Sequence, residues 1–149
     1  MLNAYSYIST DIDKMRFNHW GRLLKSSKSL KKIKKYLSAP MTQSFTVCDN
    51  GKPIGILAFH EYEKDKYDGC IIASDTFGKS PKHAIFMRKL IRTAIETYEM
   101  KRVQTLSEND PRLNRWHEFL GFKLEKENCT EFRGIKHNLW SVEWVQEQH

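Results

Sequence analysis

Disulfide frameworks, membrane-spanning helices and secretory signals are all missing from this chain of 149 residues, and each absence narrows the protein class. The three cysteines, Cys48, Cys70 and Cys129, are odd in number and far apart, which suits a reducing cytoplasm. No apolar run approaches the roughly 20 residues that a membrane-spanning helix needs. The N-terminus shows no basic stretch followed by an apolar one. We therefore expect a cytoplasmic protein without a membrane span.

Metal-ligand and nucleophile patterns are missing as well. The six histidines show no paired ligand spacing, so no metal site is predicted. No Ser/His/Asp or Cys/His arrangement of a catalytic nucleophile can be inferred. No repeat, low-complexity segment or linker divides the chain, and its length suffices for one hydrophobic core. A single domain over residues 1–149 is therefore predicted.

Positive charge is what the chain has in excess. The formal net charge is +7, and six lysines fall between Lys25 and Lys35. A basic excess attracts nucleic acid, an anionic membrane, an acidic protein or a phosphate-rich cofactor, and it does not choose among them. The alternative for the lysine run is the solvated face of an amphipathic helix.

Apolar spacing and turn signals predict seven strands and four helices. Alternating apolar residues indicate strands, and apolar residues spaced by three or four indicate helices. The order is strand, two helices, three antiparallel strands, helix, strand, helix and two strands, with Asn50-Gly51 as a hairpin turn. The predicted ranges are residues 4–8, 14–25, 30–37, 43–48, 54–61, 69–73, 81–100, 102–106, 111–121, 122–128 and 138–145.

The helix over residues 81–100 crosses between two strands, which makes a right-handed βαβ unit. Ser80 is its predicted N-cap and Pro81 its first residue. An anionic ligand can dock where such a helix begins, behind the turn after the first strand. The apolar face of this helix is predicted to consist of Phe86, Leu90, Ile91, Ala94, Ile95 and Tyr98.

The turn before that helix is one residue away from a phosphate-binding loop of the G-x-x-x-x-G-K-[ST] type. Ala73 stands where the first glycine belongs, and Pro81 follows the final Ser80. No apolar strand ending in Asp follows. We therefore predict an anion site of some kind at this helix start, with a plain capped helix as the alternative.

Two stretches and the order of elements resemble the GNAT superfamily of acyl-CoA N-acyltransferases. The segment from Asp110 to Phe122 is similar to the family's late motif, in which Asn or Asp caps a short helix that ends in Gly-Phe. The hairpin from Asn50 to Gly55 is similar to the family's usual turn before its third strand. The Arg115-Trp116 pair and Ala73-Ser74-Asp75 look most like GNAT-like proteins encoded by tailed bacteriophages, some of which are virion components.

The resemblance implies a mixed α/β fold. It is an α-β-α sandwich around a mostly antiparallel sheet of about seven strands, with about four helices. The fourth and fifth strands splay apart, and acetyl-CoA or another acyl-CoA lies in the gap with its pyrophosphate on the following loop and helix start. An amine attacks the thioester, and an acidic hydroxyl, often of a tyrosine, protonates the leaving thiolate.

Two positions depart from the family pattern. The pyrophosphate loop has only one glycine, Gly78, and Pro81 removes a donor N–H. The charges of Lys79 and Lys82 are expected to replace those backbone contacts. His117 stands where the family often has its tyrosine, and histidine acts as an acid or a base near neutral pH.

The resemblance implies an N-acetyltransferase, encoded by a phage, that acts on an amine of a protein or a small molecule. His117 is the predicted thiolate acid, and Asp75 or Glu61 the predicted base. The lysine run would border the acceptor side, which suits an acidic or nucleic-acid partner. The alternative is a catalytically inactive virion or host-interaction protein with the same fold. The predicted cofactor-binding residues are Thr76, Phe77, Gly78, Lys79, Ser80, Lys82 and Asn109.

Overall fold

A computed structural model of the chain describes residues 1–16 and 27–143. It contains seven strands and three α-helices in these ranges, together with a 3-10 turn at Ile12–Lys14. The strands are β1 (Leu2–Ser6), β2 (Thr42–Asp49), β3 (Lys52–Glu63), β4 (Lys66–Ala73), β5 (Arg102–Glu108), β6 (Lys123–Phe132) and β7 (Ile135–Glu143). The helices are α1 (Ser27–Leu37), α2 (Pro81–Thr97) and α3 (Pro111–Leu120).

The seven strands form one mixed sheet in the order β1-β2-β3-β4-β5-β7-β6. The pairs β1–β2, β2–β3, β5–β7 and β6–β7 are antiparallel, and β4–β5 is parallel. The parallel ladder has three residue pairs, from Lys66↔Arg102 to Asp68↔Gln104. The predicted mixed, mostly antiparallel sheet of about seven strands is therefore confirmed.

The chain divides into two compact units. The first unit comprises Met1–Glu61 and Gly69–His83, and the second comprises Tyr62–Asp68 and Ala84–His149. The predicted single domain over residues 1–149 stays a prediction. None of the helices that the structure describes is long and apolar enough to cross a membrane.

The core of the first unit forms where α1 and the 3-10 turn cover strands β3 and β4. Its buried members are Ile12, Met15, Leu37, Ile56, Ala58 and Ile72, and Leu30 and Ile33 of α1 pack against them. Met15 has extended dihedrals, so no helix begins at residue 14 as the N-cap pattern predicted. The rest of that predicted helix, from residue 17, lies outside the described residues.

The lysine-rich helix α1 is the amphipathic element that its spacing predicted. Lys31, Lys32 and Lys35 are exposed, as expected for a solvated face. Lys34 instead forms an ion pair with Asp13 at 2.8 Å. Lys25 and the side chain of Lys28 lie outside the described residues. The exposed basic face of α1 therefore comprises Lys31, Lys32 and Lys35 among the residues described.

The hairpin between β2 and β3 turns at Asn50-Gly51, as predicted. Both residues have positive φ, 50° and 78°, and Asp49 pairs with Lys52 across the turn. A two-residue turn of this kind matches the twist of the flanking strands. The local sequence therefore explains why the hairpin turns at this point.

The carboxylate of Asp11 ties the N-terminal segment to β2. Asp11 has no exposed surface, and it accepts hydrogen bonds from the Ile8 N–H at 2.9 Å and from Thr46 Oγ1 at 2.7 Å. The Tyr5 hydroxyl donates a third bond at 3.1 Å. Hydrogen bonds with Cys48, burial and the carboxylate of Asp11 together raise the pKa of Tyr5. The tyrosine therefore stays a neutral donor.

In the second unit, α2 buries a stripe that differs from the predicted one. Met87, Ile91, Ala94 and Ile95 are buried, whereas Tyr98 is 36% exposed. The predicted face was wrong at Tyr98 because α2 ends at Thr97, and Glu99 then takes a positive φ of 52°. The core of this unit also includes Tyr67, Met100, Val103, Leu120, Phe122 and Trp140.

Helix α3 begins and ends as predicted. The Asp110 side chain accepts hydrogen bonds from the N–H groups of Arg112 at 2.8 Å and Leu113 at 3.4 Å. Gly121 ends the helix with a φ of 98°, in the left-handed region that glycine favours. The strands that follow run longer or start earlier than predicted, and the predicted residues 144 and 145 of the last strand lie outside the described range.

We expect Asp11→Asn to destabilise the protein by about 2–3 kcal/mol, because an amide NH₂ would face donors that now bind a carboxylate. The matched control is Asp13→Asn, which removes a partly exposed ion pair and should cost less than about 1 kcal/mol. Urea unfolding of both variants measures the difference. Equal losses for the two variants would contradict the role assigned to Asp11.

Candidate functional site

The turn between β4 and α2, residues 74–80, is held at its first residue. The Ser74 N–H donates to the carbonyl of Ile54 on β3 at 2.9 Å, and the Ser74 side chain is buried. Its hydroxyl lies 2.9 Å from Thr76 Oγ1 and accepts a longer bond from the Thr76 N–H at 3.4 Å. The start of the turn is therefore anchored to the sheet before the chain reaches α2.

Four consecutive backbone N–H groups of this turn donate inside the protein. Asp75 donates to the Arg16 carbonyl at 2.7 Å, and Phe77 to the Ser74 carbonyl at 3.2 Å. Thr76 donates to the Ser74 hydroxyl, and Gly78 to Nδ1 of His83 at 3.0 Å. These are the amides that a phosphate-binding loop of the G-x-x-x-x-G-K-[ST] type would turn towards its ligand, so this segment is not such a loop.

The N–H groups of the next two residues, Lys79 and Ser80, differ from these four. Within residues 1–16 and 27–143, the N–H groups of Lys79 and Ser80 have no hydrogen-bond acceptor. Pro81 has no N–H, and the Lys82 N–H donates to Ser80 Oγ at 3.3 Å, which confirms Ser80 as the capping residue. Two donors therefore remain at the start of α2.

The start of α2 fits an anion such as a pyrophosphate. Lys79 and Lys82 have exposed side chains, and the N-terminus of a helix favours negative charge. Gly78 is exposed with a φ of 85°, and a Cβ built there would meet no atom within 4 Å. The donor set differs from a glycine-rich cradle, because two amides and two lysines take the place of a longer row of amides.

Phe77 packs into the protein instead of standing open to a ligand. Its ring lies against Gly55 of β3, where an added Cβ would meet Cδ2 and Cε2 of Phe77 at 3.1 Å. The ring also stacks on His83, with a centroid distance of 5.7 Å and an angle of 24° between the planes. We therefore read Phe77 as a support for the turn.

The two residues predicted as bases, Asp75 and Glu61, contact other parts of the first unit. Asp75 Oδ2 lies 3.6 Å from Nε of the exposed Arg16. Glu61 is half-buried near the end of β3, and its N–H donates to the Met41 carbonyl at 2.9 Å. Both residues belong to the first unit together with the turn, and their predicted role as bases stays a prediction.

His117, the predicted thiolate acid, is buried in the second unit. Its Nδ1 lies 2.8 Å from the carbonyl of Leu113, and a carbonyl only accepts, so Nδ1 carries the proton. Burial lowers the pKa of His117 below its ordinary value of 6.5. The ring stacks on Trp140 at a centroid distance of 5.4 Å. A neutral His117 with this tautomer has a lone pair at Nε2, so it is suited to accept a proton.

Trp140, which supports that ring, has its own unusual feature. Its side chain is 1% exposed, and its Nε1–H is buried without an acceptor among the residues that the structure covers. A buried donor without a partner costs free energy. The indole that stacks on His117 therefore has a buried N–H without a hydrogen-bond acceptor in the described part of the chain.

Asn109, predicted to contact the cofactor, uses both ends of its side-chain amide within the second unit. Its Nδ2 donates to Asn128 Oδ1 at 2.9 Å, and its Oδ1 accepts from Asn114 at 3.0 Å. Asn138 joins the same network through Asn114 and the Asn128 N–H. The network connects the turn before α3 to the β6–β7 hairpin, which explains why Asn109 is held in place without any ligand.

Cysteine and metal chemistry find no support here. Cys48, Cys70 and Cys129 are free thiols in the structure. Burial raises the pKa of the Cys70 thiol on β4 to about 11, so it is a poor nucleophile near neutral pH. No group of three or more potential ligands occurs in the ranges that the structure describes.

Sequence reasoning missed three residues beneath the turn: His83, Asp49 and Gly55. A signal for His83 was available, since it precedes Met87 and Ile91 by four and eight positions and so belongs to the buried stripe of α2. No such pattern marks Asp49 or Gly55, because both lie on other strands and meet the turn only in the folded chain.

The comparisons with known proteins bear on the fold. No protein-family model matches the chain, and no curated protein matches it either. A GNAT-family acetyltransferase from Bacillus anthracis is structurally similar, with a TM-score of 0.72 at 11% identity over 95% of this chain and 94% of that chain. An IAA acetyltransferase from Bacillus cereus gives a TM-score of 0.68 at 12% identity, over 97% and 100% of the two chains.

A dodecameric spermidine N-acetyltransferase from Vibrio cholerae is similar too, with a TM-score of 0.65 at 18% identity over 95% of this chain and 93% of that chain. Identities this low show a shared fold. The chain therefore has the GNAT fold that its order of elements predicted.

Gly55→Ala should destabilise the protein by about 1 kcal/mol, because the new Cβ would press on the Phe77 ring, which is itself stacked on His83. Phe77→Ala provides the matched background, since it removes the ring atoms that the Cβ would meet. A double-mutant cycle by urea unfolding should show that Gly55→Ala costs less in this background. Strictly additive losses would disprove the contact.

The stability of the fold should fall on acidification through the titration of His117. Its pKa is lowered in the folded protein, so the unfolded state binds the proton more readily. The stabilisation is therefore complete above the ordinary pKa of 6.5 and is lost as the pH falls through the folded value. Unfolding free energies from about pH 7.5 to about pH 5 measure the slope.

The control variant for this prediction is His117→Asn, whose amide nitrogen can still donate to the Leu113 carbonyl but does not titrate. This variant should have a shallower slope over the same range, whatever its absolute stability. An unchanged slope would assign the acid sensitivity to other groups.

Proposed function

We propose that this protein is an N-acyltransferase of the GNAT type, which moves an acetyl or similar group from acyl-CoA to an amine. The observation that carries the proposal is the β4–α2 turn, which presents two amides without acceptors in the described chain at the start of a helix of the GNAT fold. The fold supports the proposal through its neighbours, which are acetyltransferases.

The residues at the start of α2 would hold the anionic part of the donor. The amides of Lys79 and Ser80 would donate to a phosphate oxygen, and the charges of Lys79 and Lys82 would neutralise it. Acyl-CoA supplies an activated thioester when it is bound. Thr76 and Phe77, predicted as contacts, would act on the shape of the turn instead, since their N–H groups donate within it.

For the proton transfers we propose the three residues that the sequence predicted: His117, Asp75 and Glu61. His117 in its neutral form has a lone pair at Nε2 and no proton to give there, so we propose a proton-accepting role for it in place of that of thiolate acid. Asp75 and Glu61 are the remaining candidates for accepting the amine proton.

The positive charge of the chain bears on the charge of the molecule whose amine would accept the acyl group. Lys31, Lys32 and Lys35 form an exposed basic face on α1, and the chain carries a net charge of +7. Such a field repels a polycation, so an acceptor like the spermidine of the Vibrio cholerae neighbour is disfavoured. We propose an amine on an acidic or neutral molecule.

A second candidate is a GNAT-fold protein that binds a partner and transfers nothing. Two observations favour it: Pro81 removes a donor, and the four amides from Asp75 to Gly78 already have acceptors. The relation to phage-encoded proteins, and with it a virion or host-binding role, rests on the sequence resemblance alone. CoA binding separates the two candidates.

Isothermal titration with CoA should show binding to the wild-type protein, and Lys79→Ala and Lys82→Ala should each weaken it about threefold to tenfold, or roughly 0.7–1.4 kcal/mol. The reason is the loss of one cation beside the phosphate site. Lys89→Ala is the control, because Lys89 is equally exposed on α2 but lies two turns further along the helix.

The lysine effects should shrink as the salt concentration rises, since exposed charges are screened. Equal losses in all three variants would indicate a general effect of net charge instead of a site. A wild-type protein that does not bind CoA would overturn the transferase proposal and leave the partner-binding candidate.

A further inference from the structure

His83 is a buried histidine with a defined tautomer. It is 7% exposed, and its Nδ1 accepts the hydrogen bond from the Gly78 N–H at 3.0 Å. A backbone N–H only donates, so Nδ1 holds the lone pair and the ring proton lies on Nε2. That Nε2 is 3.5 Å from Oδ2 of Asp49 on β2. The ring therefore connects a carboxylate on the sheet to one amide of the turn.

Other contacts keep the ring in this orientation. Phe77 stacks on one side of it, and Phe77 is in turn pressed against Gly55. The second oxygen of Asp49 faces the N-terminal ammonium of Met1 at 3.6 Å, so this carboxylate lies between that ammonium and the neutral ring. The imidazole is thus fixed by packing and by both of its nitrogens.

The Gly78 amide is the last of the four that donate inside the protein, and Lys79 and Ser80 follow it directly. Gly78 takes a φ of 85°, in the left-handed region, where the chain changes direction between the anchored part of the turn and the start of α2. The His83 contact fixes the peptide at that point. Without it, nothing else among the described atoms would hold the Gly78 N–H.

We infer that His83 is the positioning residue of the proposed donor site: by accepting the Gly78 N–H through Nδ1, it orders the turn whose next two amides hold the phosphate of acyl-CoA. His83 touches no ligand in this role. The inference rests on the proposed function, and it explains how a turn with one glycine could do the work of a glycine-rich loop.

Two substitutions at position 83 distinguish a positioning role from a purely structural one. Asparagine at position 83 can place its Oδ1 near the position of Nδ1 and so keep an acceptor for Gly78. Glutamine reaches the position of Nε2, near Asp49, and leaves the Gly78 N–H without its acceptor. If His83 served only to fill the core, glutamine, the larger of the two, would be the better replacement.

The experiment measures CoA binding by calorimetry for the wild type, His83→Asn and His83→Gln, with thermal unfolding as the check that each variant folds. We expect His83→Gln to weaken CoA binding about tenfold and His83→Asn to stay within about threefold of the wild type. Amide ¹H–¹⁵N spectra should show a large shift of the Gly78 resonance in His83→Gln and a small one in His83→Asn.

The wild-type protein alone gives a second readout that needs neither a variant nor CoA. Imidazole ¹⁵N spectra should show the proton of His83 on Nε2 and a hydrogen-bonded lone pair on Nδ1. A proton on Nδ1 would overturn the inference, even if neither variant folds.

The outcomes distinguish this inference from the proposed function. A wild type that binds CoA, with His83→Gln binding equally well, overturns the positioning role and leaves the transferase proposal standing. A wild type that does not bind CoA overturns the transferase proposal, and with it the purpose assigned to His83, whatever its tautomer. Loss in His83→Gln with rescue in His83→Asn supports both.

Discussion

The candidate site depends on where one short turn sends its backbone N–H groups. Four amides between β4 and α2 donate inside the protein, to Arg16, Ser74 and His83, and this leaves the amides of Lys79 and Ser80 as the donors without acceptors in the chain as described. An unpaired amide needs water or a ligand. The turn can therefore offer an anion two amide dipoles and two lysine charges, which is a smaller set than a glycine-rich loop provides.

Elements whose signals are local could be predicted from the sequence. Asp110 caps α3 with its own side chain, Gly121 ends that helix with its own positive φ, and Asn50-Gly51 turns the hairpin with theirs. Each of these features is decided within a few residues, so the residue type is enough. The order of such elements, together with two motif-like stretches, then resembled the GNAT superfamily, and that resemblance implied the fold.

The parts that could not be predicted are contacts between residues distant in sequence. Asp11 meets Thr46 across 35 positions, and Asp49 meets His83 across two strands and a turn. Neither pair has a spacing rule that a reader of the sequence could apply. The error at Tyr98 has a different cause, because the length of α2 is set by Glu99, whose positive φ no propensity rule would assign to a glutamate.

The two buried histidines show how the surroundings decide the chemistry of one residue type. His117 donates from Nδ1 to a carbonyl, whereas His83 accepts at Nδ1 from an amide. Their protons therefore lie on opposite ring nitrogens. Nε2 carries a lone pair in His117 and a proton in His83. A sequence identifies both as possible acids or bases, but only the partner at Nδ1 determines which. That partner makes His117 suited to accept a proton and His83 suited to hold a peptide still.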